Sequence, residues 1–235
     1  MYRASATNTM VAGVDRSRWG VPVEARQTIY YVIGLLIGVV LHEYMHARIA
    51  DLMGDKTARR AGRLTLNPIP HIDPYGTVLV PLVLILFTPG HWAFGWAKPV
   101  PINPYSMKNP RRDPVLVALA GPLTNFSIAF ILALVGMVVR LVGVNPFGSL
   151  KYLLEFLNAA AQINVILGFF NLLPIPPLDG SHVLEYFLSP NARRTYEALA
   201  PYGFIIVIVF LVFLFQYFIL WMNPIFNLIG RILYG

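Results

Sequence analysis

The sequence predicts an all-α polytopic membrane protein: about four crossing helices, with a re-entrant or strand-containing segment between the first two core spans. Three observations carry that reading. Hydrophobic residues make up 57% of the 235-residue chain and charged residues only 12%, whereas soluble domains are about a quarter charged. Uninterrupted apolar runs such as IIVIVFLVFLF (205–215) are of the kind that lives in lipid. The Lys and Arg residues fall between such runs, where membrane topology wants them.

That last point also disposes of nucleic acid as a partner. A net charge of +7 and a pI near 9.8 would suit it, but no basic stripe interleaves with exposed aromatics. The absence of cysteine excludes disulfides and thiolate metal sites.

Taken in order, residues 1–26 carry four arginines, Asp15 and Glu24 and read as a polar N-terminal tail. A signal peptide is not expected, because the apolar stretch 28–41 runs into HEYMH without a small-residue cleavage site. The first span is 27–50, followed by a basic loop (51–73). Segment 75–90 is apolar but short and broken by Pro81, so it reads as re-entrant or packed at the membrane surface. Residues 91–113 are proline-rich and compatible with strands. The next span is 114–139, and a third covers about 152–173, ending in NLLPIPPLDG (171–180). A polar hairpin with Arg193 and Arg194 leads to the fourth span, 200–222, and a short amphipathic tail (223–235) follows. With no repeats and no soluble insertion, 27–222 reads as one membrane-embedded domain.

The first span ends in chemistry. His42 and His46 are four apart, so on a helix they share a face and can bind one ion. Neutral imidazoles suit zinc. Glu43, one residue round the helix, would sit beside the ion without ligating it, placed to take a proton from water and pass one to a leaving amine. A third ligand must come from elsewhere, and Asp179 is the candidate. It follows Pro174, Pro176 and Pro177, which cannot continue a helix. A broken helix at membrane depth is tolerated only where it is buried in protein or lines a wet cavity. Asn171 is placed to partner backbone there. GPLTN (121–125) reaches similar depth, where Gly121 permits close approach and Asn125 either offers an amide toward the site or packs helices together.

Geometry then constrains topology. His42 lies roughly 21 Å into a helix rising 1.5 Å per residue through a ~30 Å core. It is therefore near the exit face. For Asp179 to share its ion, the first and third spans must run parallel, and the chain between them must cross an odd number of times. Under that arrangement the site face holds eleven Lys and Arg and the other face seven, which turns the site toward the cytoplasm.

HEYMH in a span, GPLTN opening a later one and NLLPIPPLDG closing another resemble the site-2 protease family of intramembrane zinc metalloproteases. The likeness covers about 27–185. GRLTLNPIPHIDPYGT (62–77) and FGWAKPVPINP (94–104) further resemble its compact subgroup without PDZ or CBS domains. The resemblance implies one zinc ion per chain held by His42, His46 and Asp179, with Glu43 activating water. It also implies that Asn171, and with it Asn125, binds substrate or stabilises the oxyanion. The substrates would be transmembrane segments of other proteins, which unwind and add to membrane-embedded strands in 94–104. His182 reads as a surface residue or a neighbour of the site, and His71 and His91 as loop histidines.

The expected function is therefore an intramembrane zinc endopeptidase of a multi-pass protein in the lipid bilayer, with a prokaryotic plasma membrane favoured. The alternative is a divalent-metal transporter using the same His/Asp cluster for transit. A catalytically inactive binder of membrane helices would have no need of Glu43.

Overall fold

The computed structural model describes residues 23–79, 95–142 and 150–234. Helices α1 (Val23–Met53), α3 (Asp113–Leu141) and α4 (Leu150–Asn171) are each long and apolar enough to cross a bilayer. A fourth such stretch, Pro190–Tyr234, is built from α6 (Pro190–Glu197), α7 (Gly203–Val209), a π-helical turn (Phe210–Leu214) and α8 (Phe215–Tyr234). Short helices α2 (Thr57–Arg60) and α5 (Asp179–Phe187) flank the spans. No strand occurs among the described residues. The expected tail falls largely outside them, as does most of the 75–90 segment, of which a π-helical turn at Pro74–Leu79 is seen.

Two boundaries differ from the sequence reading. Helix α1 begins at Val23, four residues inside the expected tail. Helix α8 runs through Pro224 to Tyr234, where the sequence suggested a separate tail. A proline inside a helix frees one carbonyl, and membrane helices tolerate this when neighbours pack closely. Here the burial continues past the proline: Met222, Ile229 and Leu233 fill a core with Ala129, Leu154, Leu157, Ala161 and Val165 of α3 and α4.

The small residues of α1 set the frame. A Cβ on Gly34 would stand 2.7 Å from Ala160 Cα, and one on Gly38 would stand 2.5 Å from Asn164 Oδ1. This is the small-xxx-small spacing by which helices approach in lipid. The same pairing continues outward through Tyr30 against Phe156 and an Arg26–Glu155 ion pair at 3.1 Å. Residue numbers rise together on both helices, so α1 and α4 run parallel, as one shared ion requires. Helix α3 runs antiparallel to them: Asn125 meets Asn164, Phe126 lies over Gly168, and Gly136 packs on Leu157.

On the histidine side of the bundle, charged groups clamp the connecting chain. Asp51 takes both Nε and Nη2 of Arg59, at 2.8 and 2.6 Å, and an ion pair from Lys56. The run 95–103 is hydrogen-bonded on alternate residues. Trp96 N–H donates to Gly76, Lys98 N–H to His71, and Val100 N–H to Glu43. Asn103 N–H closes the run on the fully buried Asp55, at 2.6 Å.

Asp55 yields a test. Burial alone would raise its carboxyl, but N–H groups of Asn103 and Thr57 and the Thr57 hydroxyl outweigh it, holding the group below its ordinary value. A lowered folded-state value stabilises above the unfolded carboxyl's pKa, and that gain is lost as pH falls through the folded value. Asp55→Asn should therefore cost about 1–3 kcal/mol near neutral pH. The gap from wild type should close below about pH 4, as read by unfolding curves in detergent.

Candidate metal centre

The spacing of four on α1 stacks His42 and His46 edge to face, with ring centroids 4.5 Å apart and planes at 82°. Both are buried, at 7% and 5% exposure. Helix α3 fixes their protonation pattern. His46 Nδ1 lies 2.7 Å from Val117 O, and because a carbonyl only accepts, this nitrogen carries the proton and donates it. His42 Nδ1 lies 2.6 Å from Asn125 Oδ1. The amide orientation of Asn125 is set independently, since its Nδ2 donates to Asn164 Oδ1 at 2.9 Å and to Gly38 O at 3.3 Å. His42 Nδ1 therefore donates as well, and both Nε2 atoms are left with lone pairs.

Those lone pairs point at one another. The two Nε2 atoms are 2.9 Å apart, and Asp179 Oδ2 lies 3.1 Å from the first and 3.3 Å from the second. Asp179 arrives there because α4 stops at Asn171. Three prolines prevent its continuation, and the chain turns before α5 starts at Asp179. Its Oδ2 is buried and receives no hydrogen bond. With both ring protons committed elsewhere, three electron-rich atoms converge with nothing between them to relieve their repulsion. A cation does relieve it, and two neutral imidazoles with one carboxylate are a donor set that suits zinc. The residues therefore fit a zinc ion. Among the described residues this is the group of three whose possible ligand atoms all lie within 4.8 Å.

Gly121 of GPLTN forms the lid of that space. A Cβ there would stand about 2.5 Å from His42 Nε2 and press equally on His46 Nε2. Glu43, next to His42 on α1, accepts Val100 N–H through its Oε2 at 3.1 Å. Asn171 is half-buried at the end of α4 and donates back to Leu167 O at 3.0 Å. Asn125 is fully buried, and both ends of its amide are taken by His42, Asn164 and Gly38, so it faces His42 rather than open space. His182 is exposed and lies 3.7 Å from Glu185, outside the cluster. His71 is buried against Thr65 O in its loop, and His91 lies outside the described residues.

One contributor escaped the sequence reading: Val117 acts through its carbonyl, which no side-chain pattern betrays. Asn164, a polar residue in an apolar span that the sequence left between lining a wet cavity and pairing with a neighbouring helix, is fully buried and braces Asn125 from α4.

A bundle of spanning helices that gathers two histidines and an aspartate at one depth defines a membrane-embedded metalloenzyme. Comparison with known proteins sharpens the class. The model of Peptidase family M50 matches residues 30–153 and 148–215, and the chain belongs to that family. It is 38% identical over 193 residues to a Bacillus subtilis candidate zinc metalloprotease, YwhC, covering 82% of this chain and 84% of that one. It is 34% identical over 184 residues to the candidate zinc metalloprotease Rip2 of Mycolicibacterium smegmatis, covering 78% of this chain and 67% of that one. A third relative, the candidate zinc metalloprotease MJ0611 of Methanocaldococcus jannaschii, is 29% identical over 163 residues, 67% of this chain and 72% of its own. No solved structure matches the chain at comparable significance. The protein is a multi-pass zinc metalloendopeptidase, as the site-2 protease resemblance implied.

Two substitutions probe the centre. Asn125→Ala removes the acceptor that orients His42, and should weaken zinc binding about 10–100-fold. Gly121→Ala puts a methyl against both Nε2 atoms and should weaken it further. Zinc content after dialysis, with helix content by circular dichroism as the control, reads both.

Proposed function

We propose that the enzyme cleaves transmembrane segments of other membrane proteins, using one zinc ion per chain held by His42, His46 and Asp179 and Glu43 as general base. The observation that carries this is the convergence of the Nε2 atoms of His42 and His46 and an Asp179 oxygen within 3.3 Å of one another, with each ring held at its Nδ1 by α3. When bound, zinc supplies Lewis acidity toward the scissile carbonyl and the attacking water.

The chain's own residues do the rest. Helix α3 holds each ring by its Nδ1 proton, which keeps Nε2 free and fixes the ring's orientation. Glu43 has Oε2 committed to Val100, so Oε1 is the atom that takes the proton from water and returns it to the leaving nitrogen. Asn171, at the broken end of α4, is the residue we assign to substrate or oxyanion contact, while Asn125 serves to orient His42. The run 95–103, with N–H groups bonded inward on alternate residues, is the surface on which an unwound substrate segment would lie. The eleven basic residues on the histidine side favour an active site facing the cytoplasm of a cell membrane.

Glu43→Gln should keep its zinc and lose at least about 10²-fold in turnover of a transmembrane model substrate, whereas His42→Ala and Asp179→Ala should lose metal and activity together. Turnover by Glu43→Gln at the wild-type rate would remove the assigned base. Metal flux through proteoliposomes carrying Glu43→Gln would instead favour a transporter.

A further inference from the structure

Asp179 opens α5, which packs against α3, and the turn leading into it is tied to α4 at its start, where Leu172 N–H bonds to Gly168 O and Leu173 N–H to Phe170 O. Helix α4 ends at Asn171 and α5 begins at Asp179 itself, so residues 174–178 lie between the two. They are stiff internally. Ile175 N–H bonds to Leu173 O and Leu178 N–H to Ile175 O, each at 2.8 Å, and Ser181 bonds to Leu178 O through both its N–H and its hydroxyl. A stiff turn still has to be fixed to something, because a shift of its prolines moves the carboxylate with it.

The hairpin that comes after holds it as well, from the side away from α4. Tyr196, on α6, donates its hydroxyl to Pro174 O at 3.0 Å across 22 residues of sequence. Gly203, where α7 starts, lies so close under Pro176 that a Cβ there would collide with the Pro176 carbonyl oxygen. Helix α6 is moored in turn, since Arg193 pairs with Glu185 of α5 at 3.6 Å and with Glu197 at 2.8 Å. Of these contacts, the phenol is the one polar side-chain bond reaching the Pro174–Pro177 turn among the described residues.

We infer that Tyr196 is a positioning residue for Asp179: its hydroxyl anchors the proline turn and thereby sets how tightly the centre holds its metal. This rests on the assignment of Asp179 as a ligand. Tyr196 touches neither metal nor substrate. Its influence on binding can be no larger than the free energy of the bond it makes, which caps the effect at about tenfold and puts the expected value near fivefold.

The test compares wild type, Tyr196→Phe, Asp179→Ala and, as a control on the same helix, Arg194→Gln. Each is purified in detergent as the full chain. Zinc dissociation constants are measured by competition with a chromophoric chelator, and melting temperatures are measured with zinc removed. Tyr196→Phe should bind zinc about fivefold more weakly, with its metal-free melting temperature lowered by no more than about 2–4 °C, the cost of one hydrogen bond. Asp179→Ala should lose far more, and Arg194→Gln nothing. Wild-type affinity in Tyr196→Phe alongside loss in Asp179→Ala overturns the inference and leaves the ligand assignment standing. Wild-type affinity in Asp179→Ala overturns the assignment itself. A fall in the metal-free melting temperature of Tyr196→Phe well beyond about 4 °C, or an equal weakening in Arg194→Gln, also overturns the inference, because the residue would then be serving the fold or the helix in general.

Discussion

The close, parallel approach of α1 and α4 is the constraint from which the centre follows. Gly34 and Gly38 let the two backbones come together, and Ala160 and Asn164 fill the room that larger side chains would need. Because both helices run the same way, the far end of each reaches the same depth. One ends in the histidine pair, and the other ends in the proline break that delivers Asp179. Packing in lipid gains little from burying apolar surface, so this approach relies on shape and on the few polar contacts between the helices. A β-branched residue at Gly34 would separate helix ends that bring together residues more than 130 positions apart in sequence.

Polar groups inside the bundle are few and fully used. From Gly34 O and Ala160 O the hydrogen bonds pass to Asn164, then to Asn125, and from Asn125 to His42. Each amide is wholly buried and satisfied at both ends. An unsatisfied one would cost several kcal/mol in hydrocarbon, on the order usually assigned to burying a lone amide. The chain of bonds therefore does two things. It locks three helices in register, and it dictates which nitrogen of His42 bears the proton. Structure and chemistry are set by one network here, which is why the orientation of a single ring depends on residues from all three helices.

Much of this was legible in the sequence, and the reasons differ from part to part. His42, Glu43 and His46 announce themselves because ionisable groups at the end of an apolar helix are costly and need a compensating role. Asp179 was legible through the prolines before it, which force the helix to end where the carboxylate is needed. The parallel run of the first and third spans followed from requiring one ion to satisfy both motifs. The role of Asn125 was not legible beyond a choice between facing the site and packing helices. Both descriptions fit an amide after GPLT, and only the positions of Asn164 and Gly38 decide where its two ends point. The continuity of α8 through Pro224 was not legible, because an amphipathic tail after a span reads the same whether or not the helix continues, and only the neighbouring helices hold the chain on either side of the proline. Tyr196 gave no sign, since its partner is a backbone carbonyl 22 residues away.

The hydrogen bond from Val100 to Glu43 couples two parts of the chain that lie 57 residues apart in sequence. It fastens the 95–103 run to the turn of α1 that carries the histidine pair. Any displacement of that run is therefore transmitted to the backbone beside His42 through one shared hydrogen atom, without any larger rearrangement.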